Sequence, residues 1–177
     1  TMICKMLAIP DKAIDLSDWE QLIETVKSPK ETITVGIIGK YLKHQDAYKS
    51  VFEALQHAAL SAKYELKIKS FEADKIPQNS SLDEVFKDCD GYLVPGGFGE
   101  RGWKGKLRCA QHCRESKTPY FGICLGMQVM VVEFARNVLK LQDANSTEIN
   151  PSTSSPVISL LSEQKNIQDL GGTMRLG

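Results

Sequence analysis

Neither sign of charge is in surplus in this chain: 22 Lys and Arg stand against 22 Asp and Glu over 177 residues. No overall field draws it to nucleic acid or to an anionic membrane, and neither is an expected partner. Long apolar runs are also lacking, since none approaches the roughly 20 residues that cross a bilayer. The N-terminal Thr1-Met2-Ile3-Cys4-Lys5 has no basic region followed by an apolar core, so no signal peptide is read there. Cysteines are few and odd in number: Cys4, Cys89, Cys109, Cys113 and Cys124. Their irregular spacing argues against a disulfide framework and for reduced thiols in the cytoplasm. On that reading the Asn79 and Asn145 sequons carry no glycan. Histidine is scarcer still, and His44, His57 and His112 all precede the most conspicuous cysteine, Cys124. A Gly-x-x-x-x-Gly-Lys-[Ser/Thr] phosphate loop is missing too.

What remains is ordinary globular material, 42% hydrophobic and 25% charged, enough for one sizeable core and a short appendage. In residues 1–31, Ile14, Leu16, Trp19, Leu22, Ile23 and Val26 recur at helical spacing after the candidate N-caps Asp15 and Ser17. This predicts one amphipathic helix, ended by Ser28-Pro29, and reads as the tail of an upstream unit plus a linker. Residues 32–177 then alternate strand and helix. Thr32–Gly39 is a β-branched run without polar alternation, the mark of a strand buried on both faces. Asp46 is expected to cap a helix whose inner face is Tyr48, Val51, Phe52, Leu55, Ala59 and Ala62. A strand over 65–72, a short helix over 81–88, a strand over 92–94 and a helix near 104–115 follow. Next come a strand over 119–123 and a helix over 125–139. Such alternation implies an α/β fold, a parallel sheet with helices on both faces, whose ligands gather at the carboxyl ends of the strands. Residues 142–156 read as a long loop, and 156–161 and 172–176 as later strands. The chain stops at Gly177 without a closing helix, so the expected sheet is incomplete at its C-terminus, with an unpaired edge.

Two glycine-rich segments carry the chemistry. In Gly122-Ile123-Cys124-Leu125-Gly126-Met127-Gln128 a short apolar strand meets a helix at a cysteine. A nucleophile there stands on a tight elbow, with the helix amides and dipole favouring thiolate. Pro95-Gly96-Gly97-Phe98-Gly99 ends the neighbouring strand. Acyl transfer at a thiolate needs donors for the oxyanion, and the N–H groups of Gly97 and Leu125 can supply them. Either segment alone is a common turn or a buried cysteine; together, at one sheet edge, they make a site. A base is harder to find. His44-Gln45-Asp46 imitates a His-x-acid pair, but Asp46 is wanted as a cap, and His57 lies in mid-helix. His112 points away from the helix face shared by Cys109 and Cys113, and no fourth ligand is offered, so no metal is expected.

These motifs closely resemble the class I (triad) glutamine amidotransferases. Gly39-Lys40-Tyr41 with Asp46-Ala47-Tyr48-Lys49-Ser50, Asp143-Ala144-Asn145-Ser146-Thr147-Glu148 and Gly171-Gly172-Thr173-Met174-Arg175-Leu176-Gly177 extend the resemblance to the CTP synthase branch. There they match the C-terminal glutaminase domain, over about residues 32–177. The resemblance implies a flavodoxin-like fold and a nucleophile, Cys124, that attacks the carboxamide of L-glutamine. It implies oxyanion donors at Gly97 and Leu125, and glutamine binding by Gly97, Leu125, Gly126, Met127, Gln128 and Glu148. Glu148 suits the substrate α-ammonium as a charge-assisted partner. Residues 1–31 would be the end of an upstream amidoligase domain and its linker.

No cofactor is implied in the glutaminase domain. The resemblance further implies that ATP and Mg²⁺ belong to the amidoligase domain, that GTP is an allosteric activator, and that the full-length enzyme is a homotetramer. The GTP response is less secure here, because Lys104, in the lid-like stretch 99–106, replaces an acidic residue usual in the family; Arg101 keeps its match. The triad's His-x-Glu is expected beyond Gly177, so this polypeptide by itself should show negligible glutaminase activity. The implied function is glutamine hydrolysis through a cysteine thioester, supplying ammonia for ATP-dependent amination of UTP to CTP. Two alternatives stay open: a catalytically inactive, truncated binding or assembly module, and another cysteine hydrolase on the same scaffold.

Overall fold

The computed structural model describes residues 2–10, 14–28, 31–40 and 45–160. Two helices, α1 (Met2–Met6) and α2 (Ser17–Lys27), come first, and neither buries a residue. The apolar stripe of α2 is present as read, but Trp19, Leu22, Ile23 and Val26 are exposed. Strand β1 (Thr32–Gly39), helix α3 (Lys49–Ser61), strand β2 (Glu65–Glu72) and strand β3 (Gly91–Val94) follow. Helix α4 (Trp103–Ser116), strand β4 (Tyr120–Gly122) and helix α5 (Leu125–Asn137) complete the main layer. The sheet runs β2-β1-β3-β4 with every pair parallel, as the alternation of strands and helices requires. A second, two-stranded parallel sheet joins β5 (Ala144–Ser146) to β6 (Ser155–Ile158).

Burial explains the order. The apolar run of β1 puts Ile37 and Ile38 at 0% exposure in the interior of the sheet, whereas β2, carrying Lys67 and Lys69, takes the edge. One core gathers Ile38, Ile76, Leu82, Phe86, Tyr92, Val94, Cys109 and Cys113; its aromatics meet edge-on, Phe71 to Phe86 at 5.3 Å between centroids. A second core, Trp103, Ala110, Leu125, Val129 and Val132, cements α4 to α5 beneath the carboxyl ends of β3 and β4.

A buried ion pair fastens the same two helices. Arg114 Nε donates to both oxygens of Glu133 at 3.0 and 3.1 Å, Nη2 adds a bond of 2.9 Å, and Asn137 Nδ2 donates at 2.8 Å. Glu133 is nearly inaccessible while Arg114 reaches solvent. Glu133→Ala is therefore expected to cost about 2–3 kcal/mol, less than the roughly 3–5 kcal/mol for breaking a fully buried pair, because the stranded arginine can hydrate. Chemical denaturation should show it; a loss below about 0.5 kcal/mol would mean that the pair is energetically idle.

Several local expectations are corrected. Residues 81–88 form successive turns rather than a helix. Ser81 Oγ donates to the Asp83 carboxylate at 2.7 Å and accepts the Asp83 N–H at 3.2 Å, a local bond that competes with helix formation. A single helical turn, Phe86 N–H to the Leu82 carbonyl at 2.8 Å, survives before Asp88 takes φ 59°. Asp46 does not cap α3; it lies in a 3₁₀ turn (Gln45–Tyr48), and Tyr48 occupies the cap position without a side-chain bond. Ala62 is exposed rather than inward. The stretch 142–156 is not all loop, since it contains β5 and the start of β6. The strand expected over 172–176 lies outside the described residues.

Candidate active site

At the carboxyl end of β4 the chain turns on Cys124, whose φ of 52° and ψ of −110° lie in a region that L-residues rarely enter. Its neighbours hold it there. The Ile123 N–H donates to the Val94 carbonyl at 2.9 Å, tying the elbow to β3. A Cβ on Gly126 would stand 2.0 Å from the Val94 oxygen, and one on Gly122 would stand 2.4 Å from the Gly126 carbonyl carbon. The Gly-x-Cys-x-Gly pattern thus has a steric cause: strand and helix cross too closely for any side chain at either flank. The Cys124 thiol is exposed.

The first turn of α5 spends three amides locally. Gly126 donates to the Ile123 carbonyl at 2.9 Å, and Met127 and Gln128 donate to the Cys124 carbonyl at 3.0 and 3.2 Å. Among the described residues the Leu125 N–H takes no partner, and neither does that of Gly97. The loop 95–99 faces the elbow, with a Cβ on Gly96 3.4 Å from Cys124 Cβ and 4.0 Å from Sγ. The two glycine-rich segments therefore meet, with Gly96 beside the Cys124 side chain and a Cβ on Gly97 3.8 Å from Leu125 Cδ2.

Charged side chains surround this loop. The Gly99 N–H donates to Glu148 Oε1 at 2.7 Å, which brings the Asn145–Glu148 segment to the site. Lys40 Nζ donates to the carbonyls of Phe98 and Gly99, the latter at 3.2 Å. Lys106 lies at 0% exposure on α4, and its Nζ has no hydrogen-bond partner among the described residues. A Cβ on Gly97 would be 3.7 Å from that nitrogen. Burial and the nearby Lys40 cation push the Lys106 ammonium down to about 8, against the pull of Asp74 and Cys124. Gln128 Oε1 is likewise buried and unpaired, an acceptor awaiting an N–H. Met127 is partly exposed beside it, and Gly126 is buried.

Sequence reasoning marked Cys124, Gly97, Leu125, Gln128 and Glu148 by motif; the fold sets the 95–99 loop against Cys124 and Leu125 and bonds it to Glu148, while Gln128 lies one turn along α5. That reasoning missed the parts played by Lys40 and Lys106. Lys40 was visible only as a letter in Gly39-Lys40-Tyr41, and nothing in the 104–115 helix pattern marks Lys106 as buried. Neither described histidine has a partner at the elbow. His57 is exposed on α3, and His112 packs its ring on Phe86 at 5.2 Å with Nδ1 3.7 Å from Asp83. His44 lies outside the described residues. Sγ of Cys109 and Cys113 are 3.9 Å apart, and burial pushes the Cys109 thiol well up. Among the described residues no group of three or more His, Cys, Asp or Glu gathers as a metal site. Arg101 and Lys104 line a separate cavity of about 460 Å³ with Asp74, Gln78, Glu100 and Trp103. No helix among the described residues is long and apolar enough to cross a membrane.

Comparison with known proteins places this geometry. Residues 43–177 match the family described as Glutamine amidotransferase class-I. The CTP synthase of Protochlamydia amoebophila is 65% identical over 177 residues, covering 99% of this chain and 33% of that protein. That of Chlamydia felis is 51% identical, covering 100% and 32%. The glutaminase domain of Trypanosoma brucei CTPS, solved with bound acivicin, superposes with a TM-score of 0.69 at 38% identity, over 76% of this chain and 52% of that one. The chain spans about a third of the length of the relatives it matches.

Proposed function

The chain belongs to the class I glutamine amidotransferase family, and we propose that it is the glutamine-hydrolysing domain of a CTP synthase. The observation that carries this reading is the glycine-locked elbow. It presents an exposed Cys124 at φ 52°, against a loop set beside it, and the N–H groups of Gly97 and Leu125 have no partner among the described residues. Sγ of Cys124 attacks the carboxamide carbon of glutamine, and the carbonyl oxygen, now an oxyanion, takes the N–H groups of Gly97 and Leu125. Collapse expels ammonia and leaves a γ-glutamyl thioester, which water cleaves to glutamate.

Glu148, already at the loop through the Gly99 amide, offers its carboxylate to the substrate α-ammonium, a contact that selects an amino acid. Gln128 Oε1 supplies an acceptor for a substrate N–H, and Gly126 and Met127 complete the wall. The contacts of His57 and His112 lie away from the elbow, so we assign the proton acceptor for the thiol, and the donor to departing ammonia, to a residue outside the described ones. The ammonia feeds amination of UTP in an amidoligase domain, within a homotetrameric enzyme in the cytoplasm, with GTP as activator. ATP and Mg²⁺ belong to that domain.

Acivicin, the ligand of the trypanosomal neighbour, provides the test. It is expected to modify Cys124 alone among the five cysteines, with glutamine protecting. Peptide mapping that finds the adduct on any other cysteine, or labelling indifferent to glutamine, would overturn the assignment.

A further inference from the structure

The catalytic geometry depends on a loop with little of its own to hold it. Pro95–Gly99 has no regular secondary structure and contains three glycines. Rotation of the peptide before Gly97 would present a carbonyl, instead of an N–H, to the oxyanion. What restrains the loop is external, and it acts on one peptide group. The carbonyl of Phe98 and the N–H of Gly99 belong to the same amide and, in a trans peptide, point in opposite directions. Lys40 Nζ grips the carbonyl and Glu148 Oε1 grips the N–H. Lys40 adds a bond to the Gly99 carbonyl at 3.2 Å.

Lys40 is itself anchored. It follows directly on β1, its N–H donates to the Tyr48 hydroxyl at 3.2 Å, and its carbonyl accepts from Arg101 Nη2 at 2.9 Å. Both ends of the clasp thus root in elements outside the loop, one at the end of β1 and one just after β5. We propose that Lys40 is a positioning residue for the amidotransfer reaction: through the Phe98–Gly99 peptide, clasped from the other side by Glu148, it orients the loop so that the Gly97 N–H faces the oxyanion. This rests on the functional reading above. Burial and Arg101 push the Lys40 ammonium below its usual range, and the Asp74 and Glu148 carboxylates offset them only in part.

The test compares Lys40→Met and Lys40→Arg with wild type in an enzyme of the relatives' full length. The first probe is a γ-aldehyde analogue of glutamine. Sγ of Cys124 adds to its carbonyl carbon, the carbonyl π pair becomes the oxyanion, and the thiol proton passes to solvent or to that oxygen. The second probe is chloroacetamide, where the same sulfur displaces chloride and no oxyanion forms. Lys40→Met is expected to bind the aldehyde about 10–100-fold more weakly and to lose a similar factor in kcat, with KM for glutamine within about threefold. Alkylation by chloroacetamide should keep its wild-type rate, which shows that the elbow is folded, and Lys40→Arg should recover most of the aldehyde affinity. Unchanged aldehyde affinity in Lys40→Met, or an equal loss in alkylation, overturns the proposal. Failure of the wild-type enzyme to capture the aldehyde would overturn the functional reading, and the inference with it.

Discussion

On the function proposed above, alanine at position 124, placed in an enzyme of the relatives' full length, is expected to lower glutamine-dependent turnover by about 10⁴-fold or more, while turnover fed by free ammonia stays within about twofold of wild type. The asymmetry follows from the division of labour. Only glutamine hydrolysis needs the thiol; ammonia added to the solution enters downstream of it. The substitution removes one exposed atom and keeps the Cβ, so it should shift stability by less than about 0.5 kcal/mol. Cys124→Gly separates function from strain. At φ 52° and ψ −110° a Cβ is unfavourable, and glycine removes it, so the glycine variant should be equally inactive yet about 1–2 kcal/mol more stable than the alanine variant. Thermal unfolding of the pair measures that difference. Glutamine-dependent turnover surviving in Cys124→Ala would end the nucleophile assignment. Equal stability of the two variants would show that the elbow stores no strain.

The elbow was legible in the sequence because its constraint is local. Gly122, Cys124 and Gly126 lie within five residues, and the close crossing of β4 and α5 is written in the absent side chains. The parallel sheet was legible for a similar reason, since β1 is apolar without alternation. What could not be read was set by contacts far apart in sequence. The Lys40 clasp joins residues separated by 58 positions and the Glu148 bond by 49, and no periodicity encodes either. Composition misled where side chains bond to backbone. Residues 142–156 look like loop, yet the Asp143 carboxylate accepts the Ser154 N–H at 2.6 Å and its hydroxyl at 2.9 Å, seating β6 beside β5. In 81–88 the helical pattern was real, but Ser81 and Asp83 turned it into a chain of turns.

The steric reading of the motif makes a sharper claim than the motif does. In the same full-length enzyme, Gly126→Ala is expected to cost about 10²–10³-fold in glutamine-dependent turnover without touching a reacting group. The added Cβ would stand 2.0 Å from the Val94 oxygen, 2.9 Å from its carbonyl carbon and 3.1 Å from its Cβ. Val94 is fully buried in β3, and its oxygen already holds the Ile123 N–H at 2.9 Å, so the strand cannot yield. The first turn of α5 must retreat instead, by about 1 Å to restore ordinary contact, and it carries the Leu125 amide and the thiol with it. A misplacement of that size costs about 10²-fold in a preorganised site, and losing one oxyanion donor costs about as much or more. Overpacking should add about 1–3 kcal/mol of destabilisation, lowering the melting temperature by several degrees. Gly91→Ala is the control on the same strand: its Cβ would meet Pro119 at 3.4 Å, an ordinary contact, so activity and melting should hardly move. Should Gly126→Ala behave like Gly91→Ala, the close crossing of α5 over β3 would not be what holds the nucleophile in place.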